Sequence, residues 1–240
     1  MDKKPPSRAG KITPGGRMAT VRVKAKRSRS VSSTAWLNRQ LNDPYVAAAK
    51  KEGYRSRAAY KLLQMNDRYK LLRVGMRVVD LGAAPGGWSQ VAAAILGGKG
   101  QVVALDILPM ESLDGVTSFH ADFMAEGSPQ KLIDALQGKA DLVLSDMAAP
   151  TTGHSKTDHI RIMALADAAY EFTTQVLALK GAFVCKLFQG GAEKDLLNTL
   201  KRDFATVRHA KPEASRKESS ETYIVAQGYK GPPRPQGLKL

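Results

Sequence analysis

The chain has a single cysteine, Cys185, so it can form no internal disulfide and offers too little thiol for a cysteine-rich zinc site. That usage fits a reducing compartment such as the cytoplasm. Histidine is scarce too, and the closest pair, His154 and His159, sits in a glycine- and threonine-containing stretch that reads as a solvated loop, so no metal centre is expected. No apolar run approaches the length of a membrane span, and the basic segments lack the tryptophan, phenylalanine and leucine face of an interfacial helix. The glycines at Gly82, Gly86 and Gly87 do not form G-x-G-x-x-G, which counts against an NAD-dependent oxidoreductase. No Lys-Ser or Lys-Thr follows them, which excludes a P-loop.

Acidic residues are missing mainly from the two ends. Residues 1–57 hold 15 basic and 3 acidic side chains, residues 58–207 hold 15 and 16, and residues 208–240 hold 7 and 3. The net charge of +15 therefore lies on arms flanking a neutral middle, the pattern of a globular domain addressed to a polyanion, with nucleic acid the default partner. Residues 1–41 carry Pro5-Pro6, Gly15-Gly16 and a Ser/Lys/Arg stretch with almost no apolar periodicity, and are expected to be a basic, disordered arm. The arm is acid-poor like a mitochondrial transit peptide, but Asp2 and the Pro and Gly pairs spoil an amphipathic helix, so mitochondrial targeting is the minority reading. A flexible tail is expected over 230–240 and the folded domain over 42–229. No heptad pattern is left over, and a monomer is expected.

Within 42–229 the hydrophobic pattern alternates. Ser56 is placed to cap a helix running to about Leu72. Strand-like runs at 76–81, 101–105, 117–121, 140–144 and 181–187 are separated by helical stretches at 88–96, 129–136, 157–179 and 192–204. Two further strands, 205–210 and 222–227, follow without a helix between them. The expected fold is α/β: a Rossmann-like, mainly parallel seven-stranded sheet with helices on both faces and a terminal antiparallel hairpin.

Chemistry concentrates where strands end. Asp80-Leu81-Gly82-Ala83-Ala84-Pro85-Gly86-Gly87-Trp88 hands a buried strand over to a helix, with glycines that let backbone approach a ligand. Asp106, 26 residues on, ends the next strand where an acidic side chain holds ribose hydroxyls in this topology. Asp122 ends the third strand and can reach an adenine amino group. A lone strand-end aspartate is usually a turn former. Asp80, Asp106, Asp122 and Asp146, all at the carboxyl edge, make coincidence the poorer account. Ser145-Asp146-Met147-Ala148-Ala149-Pro150 lacks the aromatic and proline pair used to hold a base amine, so an exocyclic amine is not the expected acceptor. Lys186 ends an apolar strand and either snorkels to solvent or is held in a pocket for chemistry. Glu221 opens the last strand.

The segments Ser56 to Leu62, Asp80 to Gln90, Asp106 to Met110, Ser145 to Ala148, Lys186 to Gly190 and Lys211 to Tyr223 together resemble the FtsJ/RrmJ (RlmE-type) ribosomal RNA 2′-O-methyltransferases over roughly residues 42–229. The resemblance implies S-adenosylmethionine as cofactor, a uridine ribose of large-subunit ribosomal RNA as acceptor and the large ribosomal subunit as partner. It places a Lys-Asp-Lys-Glu tetrad on Lys61, Asp146, Lys186 and Glu221, and a cofactor site on Gly86, Trp88, Asp106, Asp122 and Asp146, beside Asp80, Gly82, Pro85 and Gly87 of the same loop. The rivals are the same chemistry on another RNA, such as transfer RNA, and a non-catalytic ribosome-assembly factor. One departure is the loop after Asp146, where Ala149 is added and Thr151-Thr152-Gly153 follows.

The tetrad has a physical logic of its own. A ribose hydroxyl is a poor nucleophile while protonated and benefits from a base or an oriented acceptor. A free lysine, with a pKa of about 10.4, is charged at neutral pH and cannot be that base. A second cation, Lys61, would depress the pKa of Lys186, while Asp146 and Glu221 would raise it. Arg55, Arg57, Lys61, Lys211, Arg216 and Lys217 are expected to flank the pocket toward RNA phosphates, and Tyr60, Phe188 and Tyr223 are candidates for stacking on a base.

Overall fold

A computed structural model describes residues 31–150, 152–188, 193–216 and 219–232. Five parallel strands, β1 (Arg77–Leu81), β2 (Gln101–Asp106), β3 (Val116–His120), β4 (Ala140–Ser145) and β5 (Leu177–Phe188), are joined by three helical crossovers and one helix-free connection from β2 to β3, and the chain closes with β6 (Phe204–Ala210) and β7 (Glu221–Tyr229). The order across the sheet is β3-β2-β1-β4-β5-β7-β6. β7 runs antiparallel to both β5 and β6, which is the expected hairpin, with β7 inserted beside β5 and β6 left at the edge. The helices are α1 (Val31–Leu41), α2 (Pro44–Glu52), α3 (Ala58–Tyr69), α4 (Gly87–Leu96), α5 (Ser128–Ala135), α6 (Ser155–Val176) and α7 (Lys194–Asp203).

Both faces of the central strands are apolar, as a parallel sheet covered on two sides requires. Val79, Leu81, Val103, Leu105 and Val143 pack under α5, α6 and α7. Val78, Val102, Leu142, Leu144 and Val184 pack under α3 and α4. β3 reads more weakly because it is an edge strand with three of its five residues exposed.

Three local expectations change. Ser56 does not cap α3: the cap residue is Arg57, with no side-chain bond, and the Ser56 hydroxyl is buried against Gly87. α2 is an additional helix, started by Asp43, whose carboxylate accepts the Tyr45 amide at 3.0 Å, with Pro44 in the first turn, and stopped by left-handed Gly53. β5 begins at Leu177 rather than Gly181, because Leu177 pairs with Ala140 before an irregularity in the ladder and Lys180 takes a left-handed conformation. The expected arm lies outside the described residues as far as Ser30, and from Val31 the chain is helical. Most of the expected tail also lies outside them. Among the described residues no helix is long and apolar enough to cross a membrane.

Candidate active site

The carboxyl ends of β1, β2, β4 and β5, the start of β7 and the first turn of α3 converge. Lys61 enters from α3, Asp146 from the step off β4, Lys186 from β5 and Glu221 from β7. The two lysines and two carboxylates form one network. Lys186 Nζ lies 2.7 Å from Asp146 Oδ1 and donates to the Asp146 carbonyl at 2.8 Å. Lys61 Nζ lies 2.7 Å from Glu221 Oε1, and Glu221 Oε2 lies 4.0 Å from Lys186 Nζ. Side-chain exposures of 8% for Lys186 and 16% for Asp146 put the pair mostly out of water, where charge pairing is strong and geometry is fixed.

One member was not legible as such. Tyr223 Oη donates to Asp146 Oδ1 at 2.7 Å and accepts from Lys61 Nζ at 3.1 Å, joining the two halves of the tetrad. Lys61 Nζ also lies 5.6 Å from the centre of its ring. The alternation of β7 gave a signal. Glu221 and Tyr223 are two apart and share a face, and Tyr223 is the register partner of Lys186. Tyr223 is wholly buried and Tyr60 nearly so, so neither can stack on a base as the sequence suggested.

The electrostatics follow from burial and pairing. Desolvation pushes Asp146 up, but Lys186 and then Lys61 outweigh it and hold the carboxylate below its usual range. Desolvation pushes Lys186 down, and Asp146 and then Glu221 outweigh it, so its pKa ends above the ordinary lysine value. The depression expected from Lys61 does not prevail, and Lys186 rests as an ammonium. Burial, then Asp146 and Glu221, keep Tyr223 a neutral phenol, able to donate.

The glycine loop is shaped by packing. A Cβ on Gly82 would stand 2.6 Å from the Met147 amide nitrogen, since the loops after β1 and β4 touch backbone to backbone. Arg55 and Met110 lie over Gly86, and Arg55 reaches the Pro85 carbonyl at 3.4 Å. The Gly87 α-carbon faces the Ser56 hydroxyl. Asp106 Oδ2 accepts the Ala84 amide at 2.8 Å and its Oδ1 accepts the Leu108 amide at 2.7 Å, beside a small cleft lined by Ala83, Met110, Ser118 and His120. Asp122 is exposed and caps Met124. The Trp88 side chain is buried: its indole N–H donates to the Ala58 carbonyl at 2.8 Å, and its ring packs on Tyr223.

Asp80 is fully buried. Ser89 Oγ donates to its Oδ2 at 2.6 Å, while its Oδ1 is a buried oxygen without a hydrogen-bond partner. Burial, with Asp146 and Asp106 adding like charge, raises its pKa to about 7. The folded state therefore binds a proton that the unfolded chain releases near pH 3.9, and stability falls as pH rises between about 4 and 7. Asp80→Asn keeps an acceptor for Ser89 and removes this loss. Its thermal midpoint should gain on the parent's as pH rises from 4 to 8. A pH-independent difference would show that Asp80 does not titrate in this window.

The basic residues expected to grip RNA are already engaged. Arg57 lies 3.0 Å from Asp43, Arg216 lies 3.7 Å from the same carboxylate, and Lys211 donates to the Ser219 carbonyl. Lys217 lies outside the described residues. After Asp146, Thr152 is tied by its amide and hydroxyl to Asp158 of α6, at 2.7 and 2.8 Å.

The chain has known relatives. The profile of the FtsJ-like methyltransferases matches residues 54–229. The chain belongs to that family. It is 57% identical over 222 residues to the ribosomal RNA large subunit methyltransferase E of Azorhizobium caulinodans, covering 91% of this chain and 92% of that one. The protein of the same name from Paramagnetospirillum magneticum is 56% identical, with 90% and 91% covered. Among solved structures, a putative ribosomal RNA methyltransferase of Plasmodium falciparum superposes with a TM-score of 0.68 at 28% identity, over 75% of this chain and all of that one. A fibrillarin/Nop5p complex shares the fold, with a TM-score of 0.51 at 21% identity over 74% of this chain and 86% of that one.

Proposed function

We propose that this family member transfers a methyl group from S-adenosylmethionine to the 2′-hydroxyl of a uridine in large-subunit ribosomal RNA, acting on the assembled subunit. The observation that carries the reading is the buried Lys61–Glu221–Lys186–Asp146 network closed by Tyr223, and the curated relatives bear the name of that class of enzyme. We further read the protein as cytoplasmic and monomeric, with residues 1–30 as an arm toward the RNA.

The donor set fits the cofactor. Asp106 suits the ribose diol, Asp122 the adenine amine, and the partnerless oxygen of Asp80 together with Asp146 suits cationic groups. When bound, S-adenosylmethionine supplies an electrophilic methyl on a sulfonium. The chain supplies orientation and proton handling. Asp146 fixes the direction of the Lys186 ammonium through its carboxylate and its carbonyl, so an N–H of Lys186 can set the lone pair of an incoming hydroxyl. Glu221 holds Lys61, which is left to position the hydroxyl or its neighbouring phosphate. A second positive charge brought beside Lys186 opposes the two carboxylates that raise its pKa, which moves it toward giving up its proton and accepting one.

Labelled methyl transfer to large subunits from cells lacking the enzyme, with nucleoside analysis, tests this reading. Labelled 2′-O-methyluridine is the expected product. Label on transfer RNA, or cofactor binding without transfer to any RNA, would replace it with one of the rivals.

Residues 1–30 carry ten basic side chains and one acidic one. Deleting them is expected to weaken RNA binding and flatten the salt dependence, by about 0.7 in the log–log slope for each phosphate that the arm no longer neutralises. An unchanged slope would remove the arm from the interface.

A further inference from the structure

Arg55 is a cation with its donors turned inward. Its guanidinium donates to the Glu111 carbonyl at 2.7 Å and the Ser112 carbonyl at 2.6 Å, and reaches the Pro85 carbonyl at 3.4 Å. No described carboxylate stands within ion-pair distance of it. The guanidinium therefore ties the loop after β2 to the glycine loop after β1. A Cβ on Gly86 would meet Arg55 Nη1 at 3.0 Å and Met110 Sδ at 2.9 Å, so the side chain lies directly on that glycine, with Met110 beside it.

The backbone at Arg55 is fastened as firmly. Its amide donates to Gln90 Oε1 of α4 at 2.9 Å, and Gln90 Nε2 donates to the Gly53 carbonyl at 2.8 Å. The next residue, Ser56, packs on Gly87, and α3 with Lys61 begins two residues later. Residues 53–57 thus form a strap linking both loops beside the cleft to the helix that carries a tetrad lysine.

We propose that Arg55 is a positioning residue of the cofactor cleft, holding the loop after β2 against the glycine loop, and not a contact to RNA phosphate. The proposal rests on the methyltransferase reading above. Arginine is required because the two short bonds are a forked pair to adjacent carbonyls, which a lysine ammonium cannot reproduce.

The test compares Arg55→Lys and Arg55→Ala with the parent for S-adenosylmethionine affinity by calorimetry and for the salt dependence of RNA binding. Both variants are expected to weaken cofactor binding about tenfold, the loss of one charge-assisted hydrogen bond, with the RNA salt slope unchanged. In steady state the effect falls on KM for the cofactor and leaves KM for RNA unchanged. If Arg55→Lys binds cofactor like the parent, the forked pair is not required and the proposal falls; if Arg55→Ala lowers the salt slope by about 0.7 with cofactor affinity intact, Arg55 is a phosphate contact and the proposal falls as well. Amide exchange over residues 107–115 gives a second readout: it should quicken in Gln90→Ala, which loosens the strap without touching the guanidinium, and parent-like exchange there also overturns the proposal. Failure of the parent itself to bind S-adenosylmethionine would instead overturn the methyltransferase reading.

Discussion

Lys186→Met should lower single-turnover methyl transfer by roughly a thousandfold while cofactor affinity stays within a few-fold of the parent, because positioning and proton handling fail together at one atom. Methionine keeps the length of the stem in a nearly closed site, so the loss falls on the ammonium rather than on packing. Tyr223 and Lys61 still attend Asp146, which keeps that carboxylate from standing alone. Lys186→Arg tells orientation apart from proton acceptance. A guanidinium never gives up its proton at working pH, so an arginine enzyme within tenfold of the parent would mean that charge alone suffices. An inactive arginine variant, with a parent rate that climbs with pH, would mean that Lys186 must shed its proton. The sign follows from the pairing: Asp146 and Glu221 overcome desolvation, the resting group is charged at neutral pH, and any neutral form must be produced in the loaded site. Near-normal transfer by Lys186→Met would remove Lys186 from the chemistry.

The parts of this site that were legible in the sequence are those set by periodicity and by special residues. Strand ends announce themselves when an apolar run stops at an aspartate, which located Asp80, Asp106 and Asp146. A lysine at the end of such a run was conspicuous for the same reason. Residues that act by reaching across the fold were not legible. Arg55, Arg57 and Arg216 counted as surplus positive charge, and only the folded chain shows Arg55 spent on carbonyls and the other two sharing Asp43. Asp43, with Pro44 behind it and Gly53 beyond, carries the signature of a helix start and stop at the expected edge of the folded domain, but the short helix between them buries only Ala49 and so has no apolar periodicity to mark it. From sequence Tyr223 and Trp88 read outward, because large aromatics near a site suit a ligand as well as a core. Burial decides between those, and burial is set by α3 and α4 closing over β5 and β7, which no local pattern encodes.

Gly82→Ala should be the most damaging small substitution in the glycine loop, lowering stability by about 3 kcal/mol or more and the thermal midpoint by roughly 6–12 °C. Two costs add. Gly82 sits at a φ of +76°, where a side chain is strained by about 1–2 kcal/mol. The new methyl would also stand 2.6 Å from the Met147 nitrogen and 2.7 Å from its α-carbon, and neither is the end of a flexible side chain that can swing away. Relief requires β1 and β4 to part at their carboxyl ends, where Asp146 N–H is bonded to the Leu81 carbonyl at 2.9 Å. That motion changes the placement of Asp146 relative to Lys186 across the β1-β4-β5 order, so activity should fall further than the fraction of folded protein does. Gly127→Ala is the matching control. It has the same positive φ with nothing within 4 Å of the added carbon, and should cost only the conformational part. Equal losses in the two variants would mean that conformational strain alone accounts for Gly82, and that the β1 and β4 loops are free to move apart without consequence for the tetrad.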